Sequence, residues 1–375
     1  GGKRRIMIPF KRTTYDEQDA QAVREALLGG TDFHPRARAM LESRFPHRRV
    51  FLTTSASAAF ELLFAGLSLP PDSELIMPSF TFPSCANAAI HAGLRPVFAD
   101  IDEDTLTLDI AGIARKVTAH TRCAAVTHYG GSSPDMDALR HRCEGLYIVE
   151  DAALSIGARH KGRPLGGIGD AGILSFHETK NISAGGGGAL LVDDRHAALI
   201  DLLQTIYDNG TDRAAFVSGR VDSYTWQTPG LNVAMPNLCA ALLCAQLKRE
   251  TEITDLHRQV CRYYREAMAA DAARHEVALT HIPSENEDNG HVFYLLCADN
   301  AQRDRVMEHL KKRGISAYFH YMPLHASAMG TKLGYSPGDL PVTRRVAECL
   351  LRLPVYATLT KAQCAAVVSA VREAL

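Results

Sequence analysis

The sequence predicts an α/β fold: a large, mostly parallel sheet covered by helices, followed by a smaller α/β domain. Two patterns carry that prediction. Over the first two hundred residues, short apolar or β-branched runs alternate with helix-length stretches, the pattern of parallel strands covered on both faces. After a long helical interval, a strand, a helix and a further extended segment return beyond residue 290. The length agrees, since 375 residues at 46% hydrophobic content can bury two cores.

Taken in chain order, the strand candidates are ELIMP (74–78), RPVFAD (95–100), RCAAVTHY (122–129), LYIVED (146–151), AGILSF (171–176) and GALLVDD (188–194). Helical stretches lie between several of them, such as 55–69 and 133–143. Residues 235–270 read as one or two long helices. A strand at 290–299, a helix at 300–314, the segment SAYFHYMPLH at 316–325 and a terminal helix from Thr360 complete the second unit. The expected division is a large domain over 1–250 and a small one over 251–375. In open sheets of this kind, ligands gather at the carboxyl ends of strands, so the polar residues ending these runs come first.

Composition narrows the function class. A net charge of −1 gives no basic field for nucleic acid or a membrane surface. No apolar run reaches the roughly 18 residues that cross a bilayer. The nine cysteines are scattered, without a C-x-x-C pair or zinc-like spacing; this predicts reduced thiols, a cytoplasmic location and no metal site. The opening GGKRR has no apolar core behind it and reads as a cloning remnant.

Four places could carry chemistry, each with a plainer alternative. Glu150 and Asp151 end an apolar strand; they are a cap or surface pair, or a carboxylate facing a cationic ring nitrogen. Ser55, Ala56 and Ser57 precede an apolar helical run, as a simple cap or as an anion site at a helix N-terminus. Phe80 and Phe82 share a face at period two, for core packing or for stacking on a planar ligand. Lys180, in SFHETKNISAGGGG, is a solvated charge or an amine that attacks a carbonyl. A phosphate-loop role fails because the glycines follow the lysine and Asn181 stands where Ser or Thr is needed. Gly185 to Gly188 let backbone pass close to a ligand, or form a flexible turn. Together, the helix start, the aromatic, the strand-end carboxylate and the lysine describe a pocket for pyridoxal 5′-phosphate.

These residues, with the ordered motifs TTSASAA, MPSFTFPSCANA, RPVFADIDEDTLTLD, THYGG, VEDAA, GDAGILSFHETKN, GLNVAMPNLCAA and FHYMPLH, resemble the DegT/StrS family of nucleotide-sugar aminotransferases from about Met7 to the C-terminus. The resemblance implies the fold-type I aminotransferase architecture and a homodimer with shared active sites. It gives Lys180 the covalent bond to the cofactor aldehyde and the later proton transfer. Asp151 takes the ring nitrogen, Phe82 the ring face, and Ala56, Ser57 and Ser175 the phosphate. Asn232 reaches the phosphate in the other subunit, and His320, Tyr321 and His325 line the sugar side. SFHETKN, SYTW and FHYMPLH are most similar to transaminases making dTDP-4-amino-4,6-dideoxyhexoses, which implies L-glutamate and a dTDP-4-keto-6-deoxysugar as substrates.

The sequence departs from the family's pattern in three places. Leu154 stands where a polar residue near the ring hydroxyl is usual, Ala234 replaces an arginine, and the stretch from Gly29 is shortened. The rival readings are a 3-aminotransferase on a related keto-sugar and a non-catalytic regulatory homologue. A 3-dehydratase would carry histidine in place of Lys180.

Overall fold

Seven strands build the central sheet: β1 (Arg48–Thr53), β2 (Glu74–Pro78), β3 (Arg95–Ala99), β4 (Thr121–Thr127), β5 (Tyr147–Asp151), β6 (Ala171–Ser175) and β7 (Gly188–Asp193). The order across the sheet is β1-β7-β6-β5-β4-β2-β3. All pairings from β3 to β6 are parallel, while β7 runs antiparallel to both β6 and β1. The computed structural model describes residues 7–375, so GGKRR lies outside the described residues.

Both faces of this sheet are buried, and alternate residues of each strand serve opposite cores, as the period-two geometry of a strand requires. Phe51, Leu75, Met77, Cys123, Ala125, Val149, Ile173, Leu190 and Val192 face one core with the helices Ala56–Leu67 and Ser84–His91. On the other face, Val50, Leu52, Leu174, Ala189 and Leu191 join one cluster. Ile76, Ala124, Val126 and Ile148 join another there. The second unit has its own core, in which the helices Glu250–Arg274, Asn300–Lys312 and Lys361–Ala374 cover an antiparallel sheet of β8 (Ala278–Leu279), β9 (Tyr294–Leu296) and β10 (Leu350–Arg352). Ile8 packs into this second core, although it lies at the start of the chain. Thr360 begins the terminal helix with a reciprocal cap against Gln363.

Two elements differ from the sequence expectation. β1 was not among the strand candidates, because RRVFLT opens on two arginines. The structure buries Arg48 by letting its guanidinium donate to Gly167 O (2.7 Å) and Gly169 O (2.8 Å) while it pairs with Asp193. Those partners are more than a hundred residues away, so no local signal announces them. The run 290–299 forms strand only over Tyr294–Leu296, because its neighbours β8 and β10 offer two and three paired residues.

Glu150 and Asp151, adjacent on β5, point to opposite sides. Glu150 is fully buried and bonds His128 Nε2 at 2.7 Å. It also accepts from the backbone N–H groups of Gly166 (2.8 Å), Ile168 (2.6 Å) and Gly169 (2.5 Å). Burial alone would push its carboxyl up, but His128 and these donors hold it below the usual carboxylate range. Glu150 therefore anchors the loop leading into β6. Glu150→Ala strands four buried donors and should lower unfolding free energy by about 3–5 kcal/mol, read as a lower urea midpoint at unchanged slope.

Among the described residues no helix is long and apolar enough to cross a membrane. All nine cysteines are free thiols.

Candidate active site

The carboxyl ends of β1, β4, β5 and β6 open into one cavity of about 420 Å³, the position expected for a ligand of an open α/β sheet. Lys180, Asp151, Ala56, Ser57, Phe82, Ser175, His320 and Tyr321 all line it, brought together from five separate stretches of chain. Asn232 is exposed and lies outside this cavity. His325 does not line it either. Its side chain is fully buried, with Nδ1 bonded to Ser79 Oγ at 2.7 Å and Nε2 facing Pro337 O at 3.3 Å.

Lys180 follows β6 in a tight turn, where its N–H donates to His177 O at 2.9 Å. Burial takes its amine down to about 8, against the opposing pull of the Asp151 carboxylate and with a further push from Arg352. Asp151 accepts from Ala153 N–H (3.2 Å) and Thr81 Oγ1 (3.4 Å). Thr127 Oγ1 in turn donates to Thr81 Oγ1 at 2.9 Å. Burial raises the Asp151 carboxyl, and those neighbours and Lys180 only partly offset it. A buried carboxylate held by two long hydrogen bonds is short of a cation, and a protonated ring nitrogen would supply one.

The anion corner is built by the helix Ala56–Leu67. Ser55 caps it, accepting from Ala58 N–H at 3.0 Å, which leaves the first N–H groups of the helix free at the cavity. Ser57 Oγ sits 2.6 Å from Ser84 Oγ, so a second helix start contributes a hydroxyl. The glycine run has two jobs. A Cβ on Gly188 would collide with Ser55 and Ala56 backbone, so the start of β7 lies directly against this helix end. Gly185, at φ +73° with open space around it, makes the turn. Phe82 is 61% exposed, leaving a ring face available at the cavity edge. This donor set fits pyridoxal phosphate: an amine for the aldehyde, a carboxylate for the ring nitrogen, and N–H and hydroxyl groups for the phosphate.

The opposite wall is aromatic and cationic. His320 is held uncharged, by burial first and then by Arg352 and Lys180. Its Nδ1 accepts from Arg352 Nη1 at 3.1 Å, with the Tyr129 hydroxyl also 3.1 Å away. Tyr321 stacks edge-on to Phe80 at 5.5 Å. Leu154 is 6% exposed and packs with Phe80, Tyr129 and Tyr294, so the wall is apolar at the position where the resembled family usually has a polar group. Sequence reasoning missed Lys11, Ser84, His291 and Arg352, which also line the cavity. Ser84 could have been found as a serine opening the next helix. The other three belong to no motif and come from opposite ends of the chain.

Comparison with known proteins agrees with this geometry. Residues 14–372 match the DegT/DnrJ/EryC1/StrS aminotransferase family. The spore coat polysaccharide biosynthesis protein SpsC of Bacillus subtilis is 30% identical, covering 99% of this chain and 98% of its own length. A UDP-4-amino-4-deoxy-L-arabinose–oxoglutarate aminotransferase of Shewanella sediminis is also 30% identical, covering 98% and 97%. Among solved structures, the aminotransferase TlmJ from Streptoalloteichus hindustanus superposes with a TM-score of 0.88 at 26% identity, covering 98% of each chain. The chain belongs to the DegT/DnrJ/EryC1/StrS aminotransferase family, fold-type I sugar aminotransferases that depend on pyridoxal phosphate.

Proposed function

We propose that this aminotransferase moves an amino group from L-glutamate to C4 of dTDP-4-keto-6-deoxy-D-glucose, giving a dTDP-4-amino-4,6-dideoxyhexose. The observation carrying the catalytic part is the meeting of Lys180 and Asp151 in one buried cavity. Two features support the choice of substrates. The Shewanella relative is named for a C4-amino sugar nucleotide and for oxoglutarate, the keto acid that glutamate becomes. The motifs SFHETKN and FHYMPLH resemble those of dTDP-4-amino-sugar transaminases.

Pyridoxal phosphate, when bound, supplies the aldehyde and the electron-accepting ring that make the donor's α-proton acidic. The chain's own groups do the rest. Ala56 and Ser57 N–H groups, with the Ser57 and Ser175 hydroxyls, would hold the phosphate. Phe82 would lie against the ring face, and Asp151 would keep a proton on the ring nitrogen. Lys180 would hold the aldehyde, and its free, neutral Nζ would serve as the base that takes the donor's α-proton and as the acid that returns it. In the second half-reaction Lys180 moves protons in the opposite sense, at C4 of the sugar. His320 and Tyr321 line the sugar side.

The enzyme acts as a cytoplasmic homodimer in this reading. Support for the dimer comes from Asn232, which is exposed and does not line its own cavity, and from the exposed Phe216 and Trp226. The decisive experiment incubates holoenzyme with L-glutamate and dTDP-4-keto-6-deoxyglucose and reads the product by NMR. A C4 amine whose H4 couplings define galacto or gluco geometry is expected. No amino sugar from this substrate, with turnover on a 3-keto isomer, would replace the C4 reading.

A further inference from the structure

His325 is fully buried and lies outside the cavity, yet both of its ring nitrogens have fixed partners. Nε2 lies 3.3 Å from Pro337 O, and a carbonyl oxygen only accepts, so Nε2 carries the hydrogen. Burial lowers the ring's affinity for a second proton, which leaves Nδ1 bare as an acceptor. Ser79 Oγ, 2.7 Å from Nδ1, also takes the His325 backbone N–H at 2.9 Å. Its own hydrogen therefore points at Nδ1, and the two residues close a ring of two hydrogen bonds. A third tie runs from Leu324 N–H to Ser79 O at 3.1 Å, and Ser79 N–H donates to Ala99 O at 3.3 Å. Every polar group of Ser79 is engaged. Three of its four hydrogen bonds go to Leu324 and His325, across 246 positions of sequence.

Ser79 follows β2 and leads the span Phe80, Thr81 and Phe82 into Pro83 and the helix Ser84–His91. Among the described residues, that span makes no backbone–backbone hydrogen bond of its own, so its course is set by its ends and its side chains. Phe80 packs against Tyr129 at 5.1 Å and Tyr321 at 5.5 Å. Thr81 Oγ1 donates to Asp151 at 3.4 Å, and Phe82 lines the cavity. At the far end Ser84 Oγ meets Ser57 Oγ at 2.6 Å; the near end is Ser79. The segment that holds Ser79 is itself pinned to the sheet. Asp100, just past β3, accepts from the N–H groups of Val342 (3.1 Å) and Thr343 (2.7 Å), and Phe98 N–H donates to the Tyr335 hydroxyl at 2.9 Å. A Cβ on Gly330 would collide with the carbonyls of Leu324 and His325, so the loop carrying the imidazole has no slack there.

We propose that His325 is a positioning residue: through Ser79 it holds Thr81 on the Asp151 carboxylate and Phe82 at the cofactor's ring face. It touches neither cofactor nor substrate, and its role rests on the reading of Asp151 and Phe82 as partners of the ring. Thr81 is the sensitive link, since its bond to Asp151 is already 3.4 Å long and a small shift breaks it. Without the imidazole, the Ser79 hydroxyl loses its acceptor in a fully buried place, and the span is free to make that shift. Phe82, 61% exposed, has little packing to resist it.

Two substitutions divide the ring's functions. His325→Asn keeps an acceptor near the Nδ1 position and gives up the bond to Pro337; His325→Gln keeps a donor near Nε2 and gives up the acceptor facing Ser79. Ser79→Ala removes the hydroxyl from the other side. Calorimetry of the apoenzyme with pyridoxamine phosphate, which has no aldehyde and cannot bond to Lys180, measures the ring contacts without turnover. Visible circular dichroism of the pyridoxal phosphate holoenzyme reads how the ring is set. His325→Gln and Ser79→Ala should each weaken pyridoxamine phosphate about 5- to 20-fold and reduce the visible dichroism, while His325→Asn stays within about threefold of wild type. The double variant Ser79→Ala/His325→Gln should be no worse than the poorer single one. Variants that lower the urea midpoint but bind the cofactor as tightly as wild type make the pair merely structural and overturn the proposal. Equal losses in His325→Asn and His325→Gln overturn it as well. Phe82→Ala and Asp151→Asn are the references. If these two weaken the cofactor while His325→Gln and Ser79→Ala do not, the role of His325 falls and the ring reading stands. If these two bind as wild type, the ring reading falls and takes the proposal with it. Should His325→Gln not fold, Ser79→Ala carries the test.

Discussion

Lys180→Ala should yield a folded protein that no longer bonds its cofactor covalently, with turnover lowered by at least about a thousandfold. The side chain has two tasks, and alanine can do neither. It must present a neutral amine to an aldehyde, and it must later move a proton at the donor's α-carbon. Burial sets the first task, because it takes the amine down to about 8. At pH 7 roughly one amine in ten is then neutral, against about one in three thousand for an unperturbed lysine. The direction follows from the sign of the shift: a lowered value means more free base at neutral pH, with reactivity rising about tenfold per pH unit up to about 8 and flat above it. Recombination of apoenzyme with pyridoxal phosphate, followed by absorbance across pH 6 to 9, reads that profile directly. A profile still climbing steadily past pH 9 would mean that the cavity does not shift the lysine. Full turnover by Lys180→Ala would remove it from the mechanism.

The parts of this fold that were legible in the sequence are those whose information is local. β2 matches its expected bounds because ELIMP is apolar throughout and buried on both faces. β4, β5, β6 and β7 were found because each is a short apolar or β-branched run. β1 escaped because Arg48 is met by carbonyls of a distant loop. The site divides in the same way. Ser55, Ala56, Ser57, Asp151, Ser175 and Lys180 sit at strand ends or a helix start, where position implies chemistry. Lys11 and Arg352 carry no such mark, since one precedes the first helix and the other ends a three-residue strand near the C-terminus. The packing of Ile8 into the second core and the stacking of Arg352 over Phe10 bring the two ends of the chain together. His325 shows that a motif does not by itself give the packing. It belongs to FHYMPLH, yet its imidazole is spent on Ser79 and Pro337 rather than on the cavity.

Asp151→Asn should separate catalysis from stability. The substitution keeps size and an acceptor for Ala153 N–H but removes the negative charge that holds a proton on the ring nitrogen. Turnover should fall about 10²- to 10³-fold, the range seen when one preorganised electrostatic partner is lost. Covalent attachment of the cofactor should survive, because Lys180 is untouched; that contrast with Lys180→Ala identifies the step affected. Stability should move the other way. Burial raises the Asp151 carboxyl in the folded apoprotein, so the folded state holds its proton to higher pH than the unfolded chain does. Stability attributable to this group is therefore lost as pH climbs through the range between the two values, and at neutral pH its charge is a liability. Apo Asp151→Asn should unfold at the same temperature as wild type or higher at pH 7, with the difference vanishing below the carboxylate range. A variant that lost both activity and apo stability would make Asp151 a structural acid. One that kept activity within about threefold would leave the ring nitrogen without its partner. The expected pairing, a more stable apoprotein and a slower enzyme, is the pattern of a charge kept buried for its ligand.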